Sequence, residues 1–187
     1  MKSKTSTKLV YFIGLAIVAL GMLAIVVFSV VNASVVTGVT VSFVGDASRS
    51  DEPTDMTLNP LSEERLPDYR VDLVVDGETR KLGTMPNRSA VDGLEFRVAG
   101  EYPVRQLQEI VLMEDDPVKN DVLVRVQGQQ PFPIESGGYK FELEQSRSFM
   151  GGLEYFFATP IGKAVLTGIT IAVILLVITF VMALLGG

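Results

Sequence analysis

Two long runs without a single charged side chain, Leu9–Val31 and Val165–Leu185, constrain this chain more than anything else in it. At helical rise, each is long enough to cross the roughly 30 Å hydrocarbon layer of a bilayer. Between them lies a polar stretch of about 130 residues, the size of an ordinary domain. The chain therefore reads as two transmembrane helices with one domain looped out between them. The boundaries fall at a basic tail (1–8), a first span (9–31), a domain (32–147), an aromatic juxtamembrane segment (148–163) and a second span (164–185).

Charge is segregated to match. Of the 16 Lys and Arg, only Lys2, Lys4, Lys8 and Lys163 border the spans. The other 12 share the middle with all 22 acidic residues, a net of −10. A domain of that charge repels nucleic acid at long range, so no nucleic-acid partner is expected. The three lysines before the first span, with no Lys or Arg across Asn32–Asp46 after it, favour cytoplasmic termini. The domain would then face the periplasm, a lumen or the cell exterior. Lys163 is one opposing vote. Val31-Asn32-Ala33 before Ser34 resembles a cleavage site, but the apolar run is too long for a signal peptide's core, which points to an uncleaved signal anchor.

Neither span carries an ionisable residue in its interior, which argues for anchoring and against an ion or proton pathway. Small residues mark candidate packing faces, because they let helix backbones approach closely in lipid. They are Gly14, Gly21 and Ala24 in the first span, and Ala164, Gly168 and Ala172, spaced by four, in the second. These faces would meet each other, a second copy, or the helices of a partner protein. Phe149, Tyr155, Phe156 and Phe157 suit the interfacial aromatic belt, and Lys163 can reach the headgroups. Thr159-Pro160 supplies an N-cap and first-turn pair for the second helix.

The middle reads as strands. Tyr69–Val75 alternates, and Asp76-Gly77 then predicts a tight hairpin into Thr79–Leu82. Val36–Val44, Leu94–Val98, Gln108–Met113, Val122–Gln127 and Tyr139–Leu143 bring the number to about seven. Such spacing, broken by Gly, Pro and Asp, indicates an antiparallel β-sandwich or barrel. The whole is a membrane-anchored all-β architecture. From Leu94 to Gln127, a Phe-containing strand, an Ile-containing strand, an acidic loop and a valine-rich strand follow in order. In this it resembles the later strands of C2-type and PLAT-type sandwiches, without the tryptophan typical of PLAT domains, and the resemblance implies architecture alone. Asp46–Asp68 is the longest irregular piece, expected to dock through Leu58 and Leu61.

Candidate chemistry is sparse. Histidine and cysteine are absent, which removes the usual general base, thiolate nucleophiles and zinc-finger patterns. Glu114, Asp115, Asp116 and Asp121 cluster at a turn between strands, where carboxylates supply the oxygen ligands Ca²⁺ requires. A solvated turn is the plainer alternative. Asn87-Arg88-Ser89 and Asn32-Ala33-Ser34 match the glycosylation sequon. No pair of carboxylates stands out for hydrolysis, so an enzyme is not expected. Two readings follow: an accessory or scaffolding subunit of a larger membrane assembly, or an anchored module binding calcium, glycan or a soluble protein.

Overall fold

The computed structural model describes residues 3–44, 66–115 and 120–185. The chain forms two compact units. One is helical, drawn from residues 1–33 and 149–187; the other is Ser34–Ser148. The loop anchors Leu58 and Leu61 lie outside the described residues.

The described residues of Ser34–Ser148 form eight strands in two antiparallel four-stranded sheets. They are β1 (Ser34–Phe43), β2 (Tyr69–Val75), β3 (Glu78–Met85), β4 (Leu94–Pro103), β5 (Leu107–Asp115), β6 (Asn120–Gln127), β7 (Ile134–Ser136) and β8 (Tyr139–Arg147). One sheet runs β4-β1-β8-β7 and the other β3-β2-β5-β6. Both line a single core. Val36, Val39, Val41, Phe96 and Phe141 come from the first sheet, and Tyr69, Val71, Leu73, Ile110 and Leu112 from the second. This arrangement is that of a sandwich. Tyr69 and Tyr139 join the sheets across it, their hydroxyls 3.1 Å apart and their rings edge to face. A buried hydroxyl needs such a partner, so the pair fixes how the sheets face each other.

Local sequence explains the details. Asp76 and Gly77 both take positive φ (51° and 81°), which a two-residue hairpin of the favoured twist requires. In β1 the buried residues Val36 and Val39 are three apart, breaking strict alternation. A bulge between Val36 and Gly38 resets the phase, and in the pairing with β4 residues 98–101 bow out opposite it. The eighth strand, β7, is three residues long and was not expected from the sequence. It is the first arm of a hairpin turned by Gly137 and Gly138, both at positive φ, so that Ile134 opposes Phe141.

The described residues of the helical unit form three helices: α1 (Ser3–Val31), α2 (Phe149–Ala158) and α3 (Pro160–Leu185). Lys8–Val31 and Pro160–Leu185 are long and apolar enough to cross a membrane. Pro160 opens α3, and the Thr159 hydroxyl accepts the Gly162 N–H at 3.0 Å, the cap expected of that pair. At the end of α1, Asn32 donates both its backbone N–H and its side-chain amide to the Phe28 carbonyl, at 3.0 and 2.8 Å. The aromatic segment is not a plain collar. Most of it is the separate helix α2, which turns into α3 at Thr159-Pro160.

α1 and α3 run antiparallel. Gly14 faces Leu176, and seven residues on, Gly21 faces Ile169. Apart from Ser29 and Gly168, the described positions that are not exposed are Gly14, Val18, Gly21, Ile25 and Phe28 on α1, and Gly162, Val165, Ile169, Ala172, Leu176 and Thr179 on α3. Their spacing alternates three and four, the repeat of a left-handed helix pair. The small residues expected to mark packing faces fall into two sets. Gly14, Gly21 and Ala172 sit on the seam, whereas Ala24 and Ala164 are exposed and Gly168 has open space over its Cα. A strict four-residue step turns about 40° per repeat around a helix of 3.6 residues per turn, so it cannot follow a seam of period 3.5.

Candidate functional site

The acidic turn was the strongest chemical candidate, and one of its carboxylates is engaged by side chains of neighbouring strands. Asp115, at the end of β5, accepts from the Arg70 guanidinium at one oxygen and from the Thr84 hydroxyl at the other, the latter at 2.6 Å. Arg70 also reaches Asp72 through Nε at 3.2 Å and through Nη2 at 3.4 Å, and its Nη2 lies 3.1 Å from the Met113 sulfur. Glu114 stands opposite Tyr69 on one side and Asp121 on the other. Asp116 lies outside the described residues. Among the described residues, no three carboxylates are grouped as a metal would need. The Arg70 guanidinium is bonded to both Asp72 and Asp115.

This ion network is what sequence reading missed. Arg70 and Asp72 alternate with the core residues of β2, so they belong to the sheet's outer face and look like solvated positions. They are nonetheless only 7% and 5% exposed, because β2 is a central strand covered by side chains from β3 and β5. Asp115 is 45 residues from Arg70, beyond the reach of any local pattern. The i, i+2 spacing of Arg70 and Asp72 was the one visible signal.

Beside this network, residues flanking β3 and β4 border an open depression of about 580 Å³. Leu66, Met85, Asn87, Ser89 and Glu95 are among its walls. Asn87 is exposed at positive φ (47°), and its N–H donates to Asp68 at 2.7 Å. Ser89 is buried, and its hydroxyl accepts from the Val91 N–H to cap the 3₁₀ turn Ala90–Asp92. The other sequon differs, since Asn32 is buried and spent on closing α1.

In the helical unit, the interfacial candidates separate into two sets. Phe149, Phe157 and Lys163 are exposed, and Tyr155 is half-buried. Phe156 is 1% exposed, a correction to its expected place in an aromatic belt. Its ring lies edge-on to Phe28 at 5.1 Å and to Phe157 at 5.4 Å, while Tyr155 stacks on Phe28 at 5.8 Å. Glycine makes this packing feasible. A Cβ on Gly152 would stand 2.0 Å from the Ser29 carbonyl oxygen, and one on Gly162 would stand 1.8 Å from that of Phe156. α2 therefore seats on the last turns of α1 through a bare backbone.

Set against known proteins, the chain matches no protein-family model, and no curated protein matches it in sequence.

Proposed function

We propose that this chain is a non-enzymatic accessory or scaffolding subunit of a larger membrane assembly. α1 and α3 would anchor it with their outer ends on the cytoplasmic side, and the acidic sandwich would stand outside, docking on a partner. The observation that carries this reading is the small-residue face left over once α1 and α3 have packed. Ala164 is exposed, and nothing lies within 4 Å of a Cβ placed on Gly168. A close-approach face of this kind in lipid suits a helix from another chain or a second copy. The lack of His and Cys supports a role without catalysis.

Crosslinking in native membranes followed by mass spectrometry tests the proposal. A partner crosslinked near Ala164 and Gly168, and lost in Gly168→Ile, is the expected result. A chain that purifies in mild detergent as a monomer with nothing attached would remove the main support.

A second reading, an anchored binding module, draws on the depression beside Asn87. On this reading the sandwich is of C2 or PLAT type, and its loops take a glycan, a soluble protein or calcium. Ligand binding retained by residues 34–148 alone would favour it. For calcium, the engagement of Asp115 by Arg70 and Thr84 weighs on the other side, and a melting temperature unmoved by millimolar Ca²⁺ would count against the metal.

A further inference from the structure

At the end of the helical unit away from α2, α1 and α3 leave a groove of about 440 Å³ between them. Lys8, Tyr11 and Phe12 line it from α1, and Thr179, Phe180 and Ala183 from α3. Its surface is almost wholly carbon. The Thr179 hydroxyl is already committed, donating to the Leu175 carbonyl at 2.7 Å. Among the described residues that line it, Lys8 carries the one formal charge.

The depth of that charge follows from the helix register. Gly21 faces Ile169, so Lys163 lies level with about Val27 of α1. From Lys8 to that level is about 19 residues, or roughly 28 Å at helical rise. This matches the roughly 30 Å thickness of a bilayer's hydrocarbon layer. The two lysines thus mark its two faces, and the groove opens at one boundary and runs inward from it. It spans little more than one turn on each helix, too short for a helix seam and well suited to one slender chain.

We propose that this groove seats an anionic phospholipid, its acyl chain along Phe12 and Phe180 and its phosphate on the Lys8 ammonium. Basic rims between transmembrane helices recognise anionic headgroups in this way. The proposal rests on the two-span reading of α1 and α3, not on the identity of any protein partner.

Full-length protein, first tested for resistance to carbonate extraction from membranes, is delipidated in mild detergent. It is then titrated with dioleoylphosphatidylglycerol or dioleoylphosphatidylcholine, and bound lipid is counted by native mass spectrometry. One phosphatidylglycerol per chain, preferred about fivefold over phosphatidylcholine, is expected. Lys8→Ala should erase the preference. Ala183→Phe, which fills the groove and leaves the lysine, should lower retention of both lipids severalfold with the helical circular dichroism unchanged. Equal retention of the two lipids by the wild type, or a preference that survives both variants, overturns the lipid seat alone. Displacement of phosphatidylglycerol by a co-purifying polypeptide would likewise overturn it, giving the groove to a partner helix. Release of the protein by carbonate would overturn the two-span reading and the lipid seat together.

Discussion

The helical unit and the sandwich handle apolar surface in opposite ways. In Ser34–Ser148 the large apolar side chains turn inward, and Val44 and Val122 are the only large hydrophobics counted as exposed among the described residues. In the helical unit, about thirty more are exposed, from Leu9 and Phe12 to Leu184 and Leu185, while the interior holds glycine, alanine and a few larger side chains. A water-soluble unit gains stability by hiding carbon. Helices surrounded by lipid gain nothing from hiding it, and they associate instead through close backbone contact at small residues. The contrast is what two units designed for two solvents would show, and it can be broken by substitution.

The largest expected effect is a leucine truncation in the sandwich. Leu112 is wholly buried, and Leu112→Ala should cost about 2–5 kcal/mol through lost transfer energy and the cavity left behind. Leu175, half-exposed on α3, provides the contrast. In detergent or bilayer, Leu175→Ala should change stability by less than about 1 kcal/mol, since lipid covers that side chain folded or not. Hydrogen exchange of the β5 and α3 amides reads the two units separately. Comparable losses in both would mean that α3 is covered by protein at Leu175.

Next comes Arg70→Leu. It strands the buried Asp72 carboxylate, and Asp115 more mildly because that side chain is 26% exposed. A loss of about 2–4 kcal/mol is expected, somewhat below that of a fully buried pair. Adding Asp72→Leu should restore much of it, because the uncompensated charge is then gone. A double variant no more stable than the single one would show that the guanidinium's contacts to Asp115 and Met113, and not charge balance, hold that face together.

Gly152→Ala tests the helical unit with a smaller change. The added methyl meets the Ser29 backbone carbonyl at 2.0 Å, and a carbonyl within a helix cannot swing aside. α2 must shift off α1, at about 1–3 kcal/mol. Gly168→Ala should be neutral to slightly stabilising within the chain, because nothing occupies that space and alanine favours the helix. Thermal unfolding in micelles followed by circular dichroism compares the two. Equal effects would place Gly168 on a seam.

These residues also show where sequence reading stops. The seven longer strands and the two long apolar helices were legible, because alternation and unbroken apolar length are local signals. β7 is too short for such a signal and exists because Gly137-Gly138 folds it against β8. α2 was hidden because Gly151-Gly152 lowers its intrinsic helix propensity, while the contact that rewards those glycines, the Ser29 carbonyl, lies more than a hundred residues away. The small residues were rightly noticed, but their four-residue spacing cannot reveal which helix face an antiparallel partner selects. The engagement of Asp115 by Arg70 was invisible because that arginine comes from another strand.

The smallest effect belongs to the outer face of the other sheet, where Lys140 pairs with Glu142 two residues along β8. The hydrogen bond to Glu142 and its negative charge hold the Lys140 ammonium above the ordinary lysine range, with Glu135 adding to the shift. A raised lysine pKa means that the folded state binds the proton more tightly than the unfolded chain. The pair's contribution is therefore complete below the ordinary lysine pKa and disappears as pH climbs through the raised one. Solvent-accessible pairs of this sort are screened by salt and weak. Glu142→Gln should move the melting temperature by no more than about one degree at neutral pH, and by nothing once pH exceeds the range in which lysine stays charged. If Glu142→Gln matched Arg70→Leu in size, the outer face carrying Lys140 would have to be covered, and the sandwich would have a second buried face of its own.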